Sequence, residues 1–187
     1  MAQFASAPLR IAALIERIGR LARAREAATL APAQWEALRF LARANSFSRQ
    51  PSAVAAWLAT TKGTASQTLM ALERKGLIRK ARDPLDGRVI RIEPTPAGLA
   101  LLEEDPLQGL VEAIARLPPL HAAALSQSLA HIAGDLAPEG AKSVFAGCAG
   151  CRHLEAKGEA RRCGAFGADL SGEETSLACV AHSPAEA

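Results

Sequence analysis

TKGTASQTLMALERKGLIRKARDPLDGRVIRIEPTPAG, from Thr61 to Gly98, decides how the rest of the chain reads. In its first part Ala65, Leu69 and Leu72 fall on one helical stripe with Met70 beside it, so one face of a helix is buried. Lys62, Thr64, Ser66, Gln67 and Thr68 crowd the first two turns, mostly off that stripe, and Arg74 sits in the last. Gly76 stops the helix in the left-handed conformation that glycine tolerates best. Leu77 to Ala81 and Val89 to Ile92 read as two short strands. Between them, Arg82 to Arg88 spell RDPLDGR, with Pro84, Asp86 and Gly87 as turn formers and an arginine on each flank. A new helix then opens at Thr95-Pro96-Ala97-Gly98.

A helix with hydrogen-bonding side chains near its N-terminus can set them against base edges in the major groove. A basic hairpin beside it reaches phosphates or the adjacent minor groove. Helix, glycine stop, basic hairpin and new helix, in that order, predict a winged helix-turn-helix that binds double-stranded DNA. The candidate contacts are Lys62, Thr64, Ser66, Gln67, Thr68, Arg74, Arg82, Asp86 and Arg88. Together with LAPAQWEALRFLARA (Leu30 to Ala44) and TPAGLALL (Thr95 to Leu102), these residues resemble the MarR family of dimeric transcriptional regulators. The resemblance runs from about Leu9 to Leu136 and is most specific at Asp86-Gly87-Arg88 and the Thr-Pro-x-Gly helix start. It implies a homodimer on a palindromic operator, usually as a repressor. The chain departs from the family in two places. NSFSRQP, Asn45 to Pro51, is a longer link before the helix-turn-helix, and a cysteine-bearing tail follows Pro138.

Composition narrows the classes. Net charge is +3, but Met1 to Asp105 hold 16 Lys and Arg against 10 Asp and Glu, and the remainder 6 against 9. The N-terminal part therefore faces the polyanion. Tyrosine is absent and aromatics make up 4%, which argues against a base-stacking single-strand binder. No apolar run reaches membrane-spanning length, and MAQFASAPLR does not read as a signal peptide, so a cytoplasmic, membrane-free protein is expected. No nucleophile elbow, phosphate loop or paired-carboxylate constellation points to an enzyme, and Glu103-Glu104-Asp105 reads as a solvated acidic helix end.

The rest of the chain supplies the frame. Leu9 to Ala27 is an amphipathic helix whose stripe runs through Ile11, Leu14, Ile15, Ile18, Leu21 and Ala22, suited both to intrachain packing and to a dimer interface. Pro32 opens the next helix, with Trp35, Leu38 and Leu41 on its buried face and Phe40 close by. Ser52 to Ala59 is the support helix, and Thr60 and Thr61 offer caps for the one after it. Leu107 to Leu117 and Leu120 to Leu136 form two more apolar stripes, separated at Pro118-Pro119. The expected fold is mainly α with a small β wing. Residues 1–30 form an N-terminal dimerisation helix, 31–105 the winged helix-turn-helix, 106–137 the C-terminal dimerisation helices and 138–187 a loop-rich cysteine tail.

All four cysteines lie in that tail, as Cys148-x2-Cys151-x11-Cys163-x15-Cys179. A glycine-dense segment with little apolar material needs a cross-link to hold one shape. In a reducing compartment four clustered thiols point to a metal centre rather than disulfides. One close pair and two separated singles resemble the cysteine pattern of high-potential iron–sulfur proteins, which implies a [4Fe–4S] cluster on Cys148, Cys151, Cys163 and Cys179. Zn²⁺ and [2Fe–2S] are the alternatives, and His153 or His182 could replace a thiolate. Arg152, Arg161 and Arg162 could offset the charge of a thiolate-bound centre. The expected regulator senses redox state, iron or nitric oxide through this cluster, with the tail packed on the dimerisation helices. The competing reading has a structural zinc tail and a small organic effector between the dimer and DNA-binding layers.

Overall fold

The structure, a computed structural model, describes residues 6–23, 29–82, 89–137 and 146–185. Asp86 and Arg88 of the expected wing lie outside the described residues, as do residues 24–28 at the end of the expected first helix. Seven helices and a two-stranded sheet make the body: α1 (Ala7–Arg23), α2 (Pro32–Arg43), α3 (Pro51–Trp57), α4 (Lys62–Arg74), β1 (Ile78–Arg82), β2 (Ile90–Pro94), α5 (Pro96–Leu101), α6 (Gln108–Ala115) and α7 (Pro119–Leu136). The two strands pair antiparallel, with Lys80 opposite Ile92. Each is set one or two residues later than the sequence suggests. None of the described helices is long and apolar enough to cross a membrane.

The core lies between α2, α3, α4, β1 and β2. Trp35, Leu38, Phe40, Leu41, Val54, Leu69, Leu72, Ile78 and Ile92 are buried there. Each large apolar side chain so buried contributes about 1.5–3 kcal/mol. Both helices of the helix-turn-helix end in the same way. Gly76 (φ +70°) donates to the Glu73 carbonyl and Leu77 to that of Leu72. At the end of α3, Ala59 (φ +47°) donates to Ala56 and Thr60 to Ala55. The left-handed residue turns the chain and satisfies orphan carbonyls. At Ala59 it does so against the preference of a side chain. Thr61 then caps α4, its hydroxyl accepting from the Thr64 N–H at 3.2 Å.

The Thr-Pro-x-Gly start of α5 has a steric cause. Thr95 Oγ1 accepts from the Gly98 N–H and donates to the Gly76 carbonyl at 2.6 Å. This folds α5 back onto the turn after α4, where a Cβ at Gly98 would stand 2.1 Å from the Leu77 carbonyl oxygen. Glycine is required there for close approach of two backbones, not for an unusual φ.

Two expectations change. Asp105 is not solvated. Its carboxylate is buried and takes three contacts from Arg39, at 2.6–3.0 Å, and one from the Leu107 N–H at 2.8 Å. Burial works against the charged form, but these hydrogen bonds and the Arg39 and Arg43 charges outweigh it and hold the carboxyl below its ordinary value. The pair joins α2 to the start of the C-terminal helices. Nor does the helix stripe of α1 pack within the chain. Leu14, Ile15, Ile18 and Leu21 on α1, Val111 and Ile114 on α6, and Leu125, Leu129 and Ile132 on α7 are exposed, and no residue of the three helices is buried.

The tail holds more regular structure than its composition suggests. β3 (Leu154–Lys157), β4 (Ala160–Cys163) and β5 (Ala168–Asp169) form an antiparallel meander, with Leu154 opposite Cys163. Phe47, contributed by the body, joins Leu154, Leu170, Cys148 and Cys163 in its small core.

Replacing Gly98 with alanine forces α5 off the Leu77 carbonyl and is expected to cost about 3 kcal/mol, measurable by chemical denaturation. The Arg39–Asp105 pair has a signed pH dependence. Because the folded pKa is lowered, its contribution is complete above the unfolded value of about 4 and disappears as pH falls through the folded one. Asp105→Asn is therefore expected to lose stability at neutral pH and to show a shallower acid decline below pH about 4.

Candidate functional site

Two sites are positioned by this fold: an outward helix face beside the wing, and a cysteine module docked against the linker behind it. On α4 the buried residues Ala65, Leu69 and Leu72 set the inner face. Lys62, Thr64, Ser66, Gln67 and Arg74 are exposed, Thr68 half-buried. At 100° per residue, Gln67, Met70 and Arg74 point most directly away from the core. Met70, which the sequence places beside the buried stripe, is 47% exposed and belongs to the outward face. An apolar side chain there suits a thymine methyl group. The threonines are partly committed to the helix. Thr64 Oγ1 lies 3.0 Å from Thr61 Oγ1, and Thr68 donates back to the Thr64 carbonyl at 3.1 Å. That leaves Gln67 as the exposed side chain with both donor and acceptor on the outermost arc.

The wing is tied to the helix it flanks. Lys80 Nζ on β1 meets Glu73 of α4 at 2.5 Å, and Arg79 pairs with Glu93 across the strands at 2.9 Å. Such surface pairs contribute about 0–1 kcal/mol each, so they orient the wing more than they stabilise it. Arg82, at the end of β1, is exposed.

The four cysteines are free thiols. Cys148, Cys163 and Cys179 are buried and Cys151 is half-buried. Cys148 and Cys151 form a tight turn, with the Cys151 N–H on the Cys148 carbonyl at 3.0 Å. Cys163 closes β4, and Cys179 is fastened by its N–H to the Ala146 carbonyl. Burial, then the nearby Cys179, Cys151 and Cys163 sulfurs, and last Glu174, push the Cys148 thiol above its ordinary value. The chain thus brings the other three sulfurs within electrostatic reach of Cys148. Among the described residues no three Cys, His, Asp or Glu groups are gathered as a shell for a single metal ion. His182 Nδ1 lies 3.0 Å from the Gly147 carbonyl oxygen. Arg162 bonds Asp169 and the Gly167 carbonyl, and Arg161 the Gly158 carbonyl, so both serve the hairpins of the meander.

The module does not rest on the dimerisation helices as expected. It docks on the unusually long link between α2 and α3. Ala178 pairs in parallel with Ala44, donating to the Arg43 carbonyl and accepting from the Asn45 N–H. Phe166 stacks on Phe47 with ring centroids 4.7 Å apart. A separate cavity of about 470 Å³ opens between α1, α2, α3 and α6. It is lined among others by Arg23, Phe40, Arg43, Trp57 and Leu110, and by Ala178 of the module.

Comparison with known proteins fits this body. Residues 28–89 match the sequence model of the MarR family. No curated protein matches the chain. Among solved structures, a probable transcriptional regulator from Pseudomonas aeruginosa is similar with a TM-score of 0.52 and 24% identity, over 68% of this chain and 97% of that one. Bordetella bronchiseptica BpsR, described for regulation of its DNA binding by 6-hydroxynicotinic acid, gives 0.55 and 19%, over 70% and 94%. Streptococcus pneumoniae FabT, solved in complex with DNA, gives 0.53 and 22%, over 71% and 95%. The likeness shows the mainly helical winged fold. These relatives are covered nearly end to end, while a substantial part of this chain has no counterpart in them.

Exposure and thiol chemistry together set an order of reactivity. In metal-free protein Cys151 is expected to react first with iodoacetamide, and Cys148 to react slowly and to need a higher pH than an ordinary thiol. Peptide mass spectrometry over time reads both; equal rates at all four sulfurs would contradict the described burial.

Proposed function

We propose that the protein is a cytoplasmic, homodimeric, DNA-binding transcriptional repressor of the MarR type, whose operator affinity is set by a [4Fe–4S] cluster on Cys148, Cys151, Cys163 and Cys179. The observation that carries the DNA-binding half is the outward face of α4 beside a basic wing. Gln67 reads base edges, Lys62 and Arg82 meet phosphates, and Arg74 extends the cationic border. The family match over residues 28–89 supports this reading. The exposed apolar faces of α1, α6 and α7 support the dimer, since surfaces of this kind mark association sites. A two-fold dimer sets two reading helices about one DNA turn apart, which matches a palindromic site.

For the cysteine half, the supporting observation is convergence. Cys148 and Cys163 share one small core, and the Cys151 and Cys179 thiols lie near enough to Cys148 to act on its charge. A tetrahedral zinc shell needs all four sulfurs about 2.3 Å from one ion. In a cubane each cysteine meets its own iron, so its four sulfurs stand wider apart than in a zinc shell. Phe47, Leu154 and Leu170 screen the site from water. When bound, the cluster supplies a redox- and nitric-oxide-sensitive link whose loss removes the module's cross-link.

A second reading rests on the cavity of about 470 Å³. Phe40 and Trp57 stack there, with ring centroids 5.1 Å apart, beside Arg23 and Arg43, and suit a small aromatic acid. In that case the tail is a structural zinc module and the effector is organic, by analogy with the regulation of BpsR by 6-hydroxynicotinic acid.

Iron, sulfide and zinc analysis of anaerobically purified protein separates the two. Four irons per chain with a brown colour support the cluster, and stoichiometric zinc in colourless protein rejects it. For DNA, Gln67→Ala is expected to cost about 1–3 kcal/mol at the operator and to relax specificity at one position. Unchanged binding in a gel shift would rule out α4 as the reading helix.

A further inference from the structure

We propose that the cysteine module braces the reading head of its own subunit, through the buried Asn45–Ser48–Val180 relay and the Phe47–Phe166 stack, so that the folded module holds the protein in its tighter DNA-binding form. This rests on the reading of the module as the sensor and adds its route and sign. Asn45 and Ser48 are 1% and 0% exposed. Ser48 Oγ donates to Asn45 Oδ1 at 2.7 Å and accepts from the Val180 N–H at 2.8 Å. Asn45 N–H donates to the Ala178 carbonyl at 3.0 Å, one residue before Cys179. Ser46 Oγ adds a bond to Glu174 at 2.6 Å. Phe47 stacks on Phe166 and also walls the sulfur core, so the link belongs to both parts.

The other side of the same link holds the DNA-reading elements. The Arg49 carbonyl accepts from Ile92 N–H of β2 at 2.8 Å. Arg91 of β2 donates to the Ser46 carbonyl and lies over the Phe47 ring, 5.7 Å from its centroid. Gln50 accepts from Val54, the first backbone bond of α3. Wing strand and support helix therefore share one short segment with the module. When the module unfolds, Ala178 and Val180 leave: the buried Ser48 hydroxyl loses the N–H it accepts, the Asn45 backbone N–H loses its acceptor, and Phe47 loses its stacking partner. Regulation requires contacts that exist in one state only, and these do.

The test compares the full chain before and after alkylation of its cysteines in metal-free buffer, which opens the module whatever it holds. Hydrogen exchange is expected to rise over residues 45–58 and 90–94, and operator affinity to fall about tenfold, a usual size for coupling between sites. Ser48→Ala is expected to keep the native metal content and the dimer while reducing that change to below about threefold. Ser46→Ala, which removes only the bond to Glu174, is the milder companion should Ser48→Ala fold poorly, and is expected to give an intermediate ratio. Altered exchange confined to α1, α6 and α7, or an unchanged ratio in both variants, overturns the brace. Zinc in place of iron overturns the cluster reading alone, because alkylation still tests the brace.

Discussion

Asn45 and Ser48 are polar side chains sealed into an otherwise apolar neighbourhood, and a buried polar group left without a partner costs about 1–3 kcal/mol. Asn45 Oδ1 and Ser48 satisfy each other, but the Ser48 hydroxyl also accepts from a segment 132 residues away, and the Asn45 backbone N–H donates to that segment, on either side of Cys179. The helical body thus has a surface that is complete only with the tail in place. The tail has the reciprocal need, since its sulfur core borrows Phe47 from the body. Each part finishes the other, which is why a segment with so few apolar residues of its own still adopts a defined meander.

A second constraint keeps the body in register. The Arg39–Asp105 pair clamps α2, which packs on α3 and α4, to the segment leading into α6. A buried ion pair tolerates little sliding, because moving either partner strands a charge in a poorly hydrated site. The segment leading into α6 and the α2 helix are therefore joined by a rigid, directional bond. The link carrying the module is joined to the reading layer by backbone pairing.

The winged body was legible because its signals are local. Gly76 and Thr95-Pro96-Ala97-Gly98 each encode a turn or close approach within a few residues, and the structure places them accordingly. The signals missed are distant ones. Asp105 read as solvated because its partner lies 66 positions away. Met70 was misplaced because it adjoins the apolar stripe in projection while pointing outward. The strands LEAK and ARRC are too short and too charged to announce a core; their inward residues are Leu154 and Cys163, completed by a phenylalanine borrowed from the body. The docking place of the tail did leave a trace in the sequence, the extra length of NSFSRQP, but length alone does not say what it receives.

That the contact between module and link lies within one polypeptide bears on the symmetry of the assembly. In the proposed dimer, neither module needs the dyad to reach the link of its own reading head. A dimer can lose one and keep the other, and such a molecule is lopsided, with one half-site gripped and the other loose. Occupancy of the operator would then decline in two steps rather than one, and the intermediate species would discriminate between the left and right halves of an imperfect palindrome.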